Sequence, residues 1–127
     1  MYRAILTVIV SLTVLITSSF KINATDNEET TIVSYYHDKF NGRKTASGDV
    51  FDNSKLTAAN RTLPFGTKVK LTNLRNGKSV TVTINDRGPF TKGRAFDVSK
   101  AAFEALADVR HGTAPVSYEV IEGDEQS

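Results

Sequence analysis

The stretch TKVKLTNLRNGKSVTVTI, residues 67–84, decides the fold. It opens with the alternation Thr67, Lys68, Val69, Lys70, Leu71, Thr72 and closes with Ser79, Val80, Thr81, Val82, Thr83, Ile84. Val69 and Leu71 lie on one side of an extended chain, and Val80, Val82 and Ile84 on one side of the next. This is the period of two that arises when one face of a strand is buried. Asn76 and Gly77 stand between the two runs, a dipeptide suited to a hairpin turn whose central residues need positive φ. The stretch therefore reads as a β-hairpin.

Away from the hairpin the segments are shorter. Residues 31–36 are β-branched and aromatic, residues 94–98 carry Ala95, Phe96 and Val98, and residues 116–121 alternate Val116, Tyr118 and Val120. Ser99 is a suitable N-cap for a helix over residues 100–107, with Ala102, Phe103 and Leu106 as its inner stripe. A brief helical turn is expected over residues 54–59. Short strands, one or two short helices and irregular connections predict an all-β protein built as a small barrel.

The N-terminus has a different character. Met1, Tyr2 and Arg3 precede a 17-residue run, 4–20, without charge or proline, and small and polar residues follow as far as Ala24. This pattern predicts a secretory signal peptide over residues 1–24, with an uncleaved N-terminal anchor as the alternative. The remaining 103 residues contain no cysteine, so one hydrophobic core must hold them without disulfides. Zinc thiolate sites, cysteine nucleophiles and lipid attachment through a cysteine are excluded by the same absence. Residues 25–31 and 122–127 read as short polar tails around one domain, 32–121. Between residues 30 and 121 there are 14 basic and 8 acidic side chains, a balance suited to an anionic envelope polymer. Export makes nucleic acid a poor partner.

The candidates for chemistry are carboxylates among apolar neighbours. Asp86 follows the strand that ends at Ile84 and is flanked by Arg87, Gly88, Pro89 and Phe90. A carboxyl dried by Ile84, Pro89 and Phe90 would keep its proton near neutral pH and serve as a general acid. An Asx-type turn or an ion pair with Arg87 would do the opposite. Asp49 precedes Val50 and Phe51 and fits either a second acid/base or a turn after Gly48. Asp97, between Phe96 and Val98, faces away from them, toward a groove or toward Arg94 or Arg87. Tyr35 and Tyr36 are adjacent in a strand, so only one can line a groove, as a ring platform or a hydroxyl donor. His37 and His111 have no spacing that suggests a metal pair or a Ser/His/Asp arrangement.

The tracts NGRKTASGDVFD (41–52), LTAANRTLPFGTKVKLTNLRNGKSVTVTINDRGPF (56–90) and GRAFDVSKAAFEAL (93–106) resemble, in order and spacing, the double-psi β-barrel domain of the rare lipoprotein A family of lytic transglycosylases. The resemblance covers about residues 32–121 and implies a six-stranded double-psi β-barrel with one or two short helices. It implies an endolytic enzyme that cleaves the β-1,4 bond between N-acetylmuramic acid and N-acetylglucosamine and leaves a 1,6-anhydro end, with no metal or organic cofactor. On the same basis Asp86 and Asp49 are the expected catalytic residues, and Tyr36, Thr45, Asn60, Arg87, Arg94 and Asp97 are expected to bind substrate. The family usually carries glutamate where this chain has Asp49 and histidine where it has Asn60. Asp49 keeps the charge on a side chain one methylene shorter, and Asn60 keeps hydrogen bonding but cannot titrate. The expected partner is the peptidoglycan glycan strand, met by a monomer in the periplasm or outside the cell, with no stable membrane anchor once the signal is removed. A non-catalytic peptidoglycan-binding or wall-loosening protein is the alternative.

Overall fold

The computed structural model describes residues 28–122. The expected signal peptide, and the terminal residues 25–27 and 123–127, lie outside them. Six strands form the barrel: β1 (Glu29–Tyr35), β2 (Thr57–Ala59), β3 (Lys68–Asn73), β4 (Ser79–Asp86), β5 (Arg94–Val98) and β6 (Thr113–Glu122). They close in the order β1-β5-β2-β4-β3-β6. Pairs β1–β5 and β2–β4 are parallel and the others antiparallel, which interlocks the two halves of the chain as a double-psi barrel requires. Among the described residues, closure gives every strand two neighbours, so a domain of this size has no long edge to protect.

The alternation seen in residues 67–84 is the inner lining of the barrel. Val69 pairs with Val82 and Leu71 with Val80 across the hairpin. Val69, Leu71, Val82 and Ile84 are fully buried together with Val33, Phe96, Val98 and Val116. Helix α1 (Lys100–Leu106) packs against β4 and β1 and adds Ala102, Phe103 and Leu106 to this core. Ser99 caps it, its hydroxyl accepting from the Ala102 amide at 3.2 Å.

Four local expectations change. Within the helical turn expected over residues 54–59, Thr57–Ala59 is instead strand β2, parallel to β4 and antiparallel to β5. Three residues are too few to display a period of two, and the alanines Ala58 and Ala59 favour helix locally; only the gap between β4 and β5 makes them a strand. Glu29 and Thr30, read as the end of a polar tail, belong to β1, where Glu29 pairs with Tyr118. Glu122, assigned to the other tail, pairs with Lys68 at the end of β6. The hairpin turn is not a two-residue one. Gly77 has φ of 78°, but Asn76 stays out of the left-handed region, and the connection spans residues 74–78. Asn76 serves the helix instead, since its side-chain amide and that of Asn73 both donate to the Leu106 carbonyl, at 3.0 and 2.9 Å. The loop thereby satisfies the open C-terminal end of α1.

Candidate active site at the end of strand β4

Asn85 and Asp86 close β4 and point to opposite sides of it. Three donors converge on the Asp86 carboxylate. The amides of Ala46 and Arg87 each reach Oδ1 at 2.9 Å, and the Tyr36 hydroxyl reaches Oδ2 at 2.6 Å. Ala46 is delivered by a narrow excursion of the chain in which Lys44 bridges Val50 and the Thr45 amide donates to the Asp49 carbonyl at 2.8 Å. Gly48, with φ of 97°, makes that turn possible. The Ser47 amide then bonds the Asn85 carbonyl at 3.3 Å and pins the excursion to the strand end.

These polar partners replace the apolar enclosure expected around Asp86. Ile84 points into the core, and Phe90 is 81 % exposed on the loop beyond. Asp86 forms no ion pair with Arg87 either. The Arg87 guanidinium lies over the Phe65 ring, 4.0 Å from its centre, and donates to the carbonyls of Leu63 and Asn60 at 2.8 and 3.2 Å.

Tyr36 offers no open platform. Its ring stacks on Phe51 at 4.5 Å and meets Phe40 edge-on at 5.9 Å, and its hydroxyl is held by Asp86. Tyr35 turns the other way, against Phe103, and donates to the Val109 carbonyl at 3.0 Å. Burial, then the hydrogen bond and charge of Asp86, then the charge of Asp97 push the Tyr36 phenol far above its ordinary 10.0. The neutral phenol is thus the form the fold stabilises: its contribution is present below about pH 10 and is lost as pH climbs toward the raised value. Spectrophotometric titration at alkaline pH should accordingly show the Tyr36 phenolate appearing only together with loss of near-UV circular dichroism. A Tyr36→Phe variant would lack that coincident step.

The other expected residues fall into two groups. Asp97 selects Arg94 rather than Arg87, with a 3.2 Å ion pair, and accepts from the Ser34 hydroxyl at 2.7 Å. With Tyr36, Arg87 and Phe90 they border a cleft of about 510 Å³. Asp49 stands on the other side. It lines a second hollow, of about 390 Å³, with Asp52, Lys55 and Asn85, and the Asn85 amide is 3.5 Å from its carboxylate. The neighbours of Asp86 divide between the two hollows: Tyr36 and Arg87 border the first and Asn85 the second.

Thr45 and Asn60 hold loops. The Thr45 hydroxyl is buried against Ser47 and the Asp49 carbonyl. Asn60 donates to the Ala95 carbonyl at 2.9 Å and accepts from the amides of Thr62 and Leu63 at 3.0 and 2.8 Å, while its own backbone amide bonds the Asp86 carbonyl at 3.1 Å. Arg61, given no role from sequence, fastens the loop after Asp86. Its guanidinium donates to the Pro89 carbonyl at 2.7 Å and the Arg94 carbonyl at 3.1 Å. Nothing in the local pattern around Arg61 signals this, because both acceptors are main-chain atoms about thirty residues away.

This geometry can be set beside known proteins. Residues 28–118 match the family model described as lytic transglycolase. The chain is 62% identical over 84 residues to the "Probable endolytic peptidoglycan transglycosylase RlpA" of Treponema pallidum, covering 66% of this chain and 26% of that protein. It is 53% identical over 91 residues to the protein of the same description from Synechocystis sp., covering 72% and 28%. The chain therefore spans little more than a quarter of the length of these curated relatives. Among solved structures, the Streptomyces papain inhibitor superposes with a TM-score of 0.62 at 25% identity, covering 75% of this chain and 94% of that one.

Proposed function

The chain belongs to the lytic transglycolase family, and from that membership we propose that its barrel cleaves the β-1,4 bond between N-acetylmuramic acid and N-acetylglucosamine within peptidoglycan strands. The observation that carries the reading is Asp86, a carboxylate fixed by three donors at the end of a barrel strand, whose neighbours Tyr36 and Arg87 border a cleft. In the reaction, the protonated Asp86 carboxyl gives its proton to the glycosidic oxygen as the C1–O4 bond breaks. The C6 hydroxyl of the muramic acid then bonds to C1 and returns its proton to the carboxylate, closing the 1,6-anhydro ring. No water is consumed and Asp86 ends as it began. Intramolecular attack gives the ring closure its entropic advantage, so the carboxylate spacing of hydrolases is not required. Asp49 is the second carboxylate, Arg94 and Asp97 form the polar wall of the first cleft, and Arg87, Asn60 and Thr45 hold the loops around Asp86.

This chemistry needs no metal or organic cofactor, and the basic balance of residues 30–121 suits the anionic wall. The place of action is the periplasm or the exterior, reached through the expected N-terminal signal, as a monomer.

Incubation of the purified protein with stem-free glycan strands, with products read by mass spectrometry, is expected to yield 1,6-anhydro ends. Unchanged strands under conditions in which a family member cleaves would overturn the reading. The second reading, a non-catalytic wall-binding barrel, is favoured by the commitment of the Asn60 side chain to three loop bonds and by its inability to titrate. Retention of the protein on sacculi without any product would select it.

A further inference from the structure

The two oxygens of Asp86 are not equivalent. Oδ1 accepts from two backbone amides, Ala46 and Arg87, each at 2.9 Å. A carboxylate oxygen has two lone-pair sites, and both on Oδ1 are filled by donors that belong to the main chain and cannot rotate away. Oδ2 accepts one bond, from the Tyr36 hydroxyl at 2.6 Å, and keeps one lone pair open. Resting on the reading of Asp86 as the acid/base, we propose that Oδ2 is the atom that gives and takes the proton, approached from the cleft that Tyr36 borders, and that Tyr36 is the positioning residue that aims it.

The surroundings of Tyr36 suit that role. Phe51 and Phe40 hold the ring on a face and an edge, so the hydroxyl has a fixed position rather than a swept arc. The phenol stays protonated through the range in which a wall enzyme works, so it is a donor to Oδ2 at all relevant pH. When Oδ2 carries the proton, the same hydroxyl still finds a lone pair there. Of the charges around the pair, Asp97 on β5 reaches Tyr36 and is itself paired with Arg94, while Arg87 is turned to the Asn60 and Leu63 carbonyls. Neither arginine can therefore replace the tyrosine as the partner of Oδ2.

Tyr36→Phe removes the hydroxyl and retains the ring stack. In the full-length protein kcat is expected to fall roughly 10- to 100-fold while KM stays within about twofold, because the missing interaction aims the acid rather than binding the strand. The carbon-13 chemical shift of the Asp86 carboxyl, read by NMR at one fixed pH, should move in the variant because Oδ2 has lost its donor, and this readout does not depend on turnover. If the wild-type protein forms no 1,6-anhydro ends, the functional reading fails, yet the carboxyl chemical shift still tests the role of Tyr36. An unchanged Asp86 carboxyl chemical shift, or a loss confined to KM, would overturn the proposal. Tyr36→His, which restores a donor on a ring, should recover part of the kcat.

Discussion

Asp86→Asn should leave the barrel folded and lower the release of 1,6-anhydro ends by roughly 10²- to 10⁴-fold, the span of a general acid. The donors around the carboxylate explain why the fold survives. In the variant the amide oxygen can take the Oδ1 position and accept from Ala46 and Arg87. The amide nitrogen then stands where Oδ2 was, and the Tyr36 hydroxyl can rotate to accept from it. The loop of residues 41–52 stays pinned, so the stability should change little, by about 1 kcal/mol or less. What disappears is the transferable proton. Asp86→Ala is the less informative change, since it strands two amides and a phenol without an acceptor and mixes a stability loss into the rate. Product formation by Asp86→Asn at more than about a tenth of the wild-type rate would remove this residue from the chemistry.

The second large effect is on stability. Phe103→Ala should cost about 3–5 kcal/mol, seen as a fall in Tm of roughly 15 °C or more. Phe103 is fully buried on α1, beside Ala102 and Leu106, and its ring packs 4.8 Å from that of Tyr35. Removing it leaves a void between the helix and the barrel wall that neither the backbone of β1 nor that of β4 can close. Domains of this size have only about 5–15 kcal/mol in total and no disulfide here adds to it. The loss should reach the site too, because Tyr35 and Tyr36 are consecutive and the first anchors the end of β1. Differential scanning calorimetry gives the first effect, and turnover measured well below the new midpoint gives the second. A Tm within a few degrees of wild type would mean that the helix is not an integral part of the core.

The hairpin is legible in the sequence because residues 69–71 and 80–84 repeat at a period that only a half-buried strand produces. The strand at Arg94–Val98 and the capped helix after Ser99 are legible for comparable local reasons. Strand β2 is not, since Thr57–Ala59 has no pattern of its own and is extended only because β4 and β5 leave a place for it. The site divides in the same way. Asp86 stands out at a strand end, but its chain neighbours Pro89 and Phe90 suggest the wrong surroundings. Its real neighbours are the amide of Ala46, forty residues away, and the hydroxyl of Tyr36, fifty away. The surroundings of Asp49 and Asn60 have no local signal either: Asp49 lines the second hollow with Asn85, and the Asn60 side chain bonds the amides of Thr62 and Leu63 and the Ala95 carbonyl.

By itself the sequence determined the parts that rest on short-range periodicity and on residue type: a hairpin, a capped helix, a chain without cysteine, and an aspartate at the end of a strand. The tertiary structure alone decided which groups face that aspartate, and so which of its oxygens is open. Hydrogen-bond partners are chosen by distance in space, and closing a barrel brings together backbone amides and side chains whose separation along the chain carries no local signal.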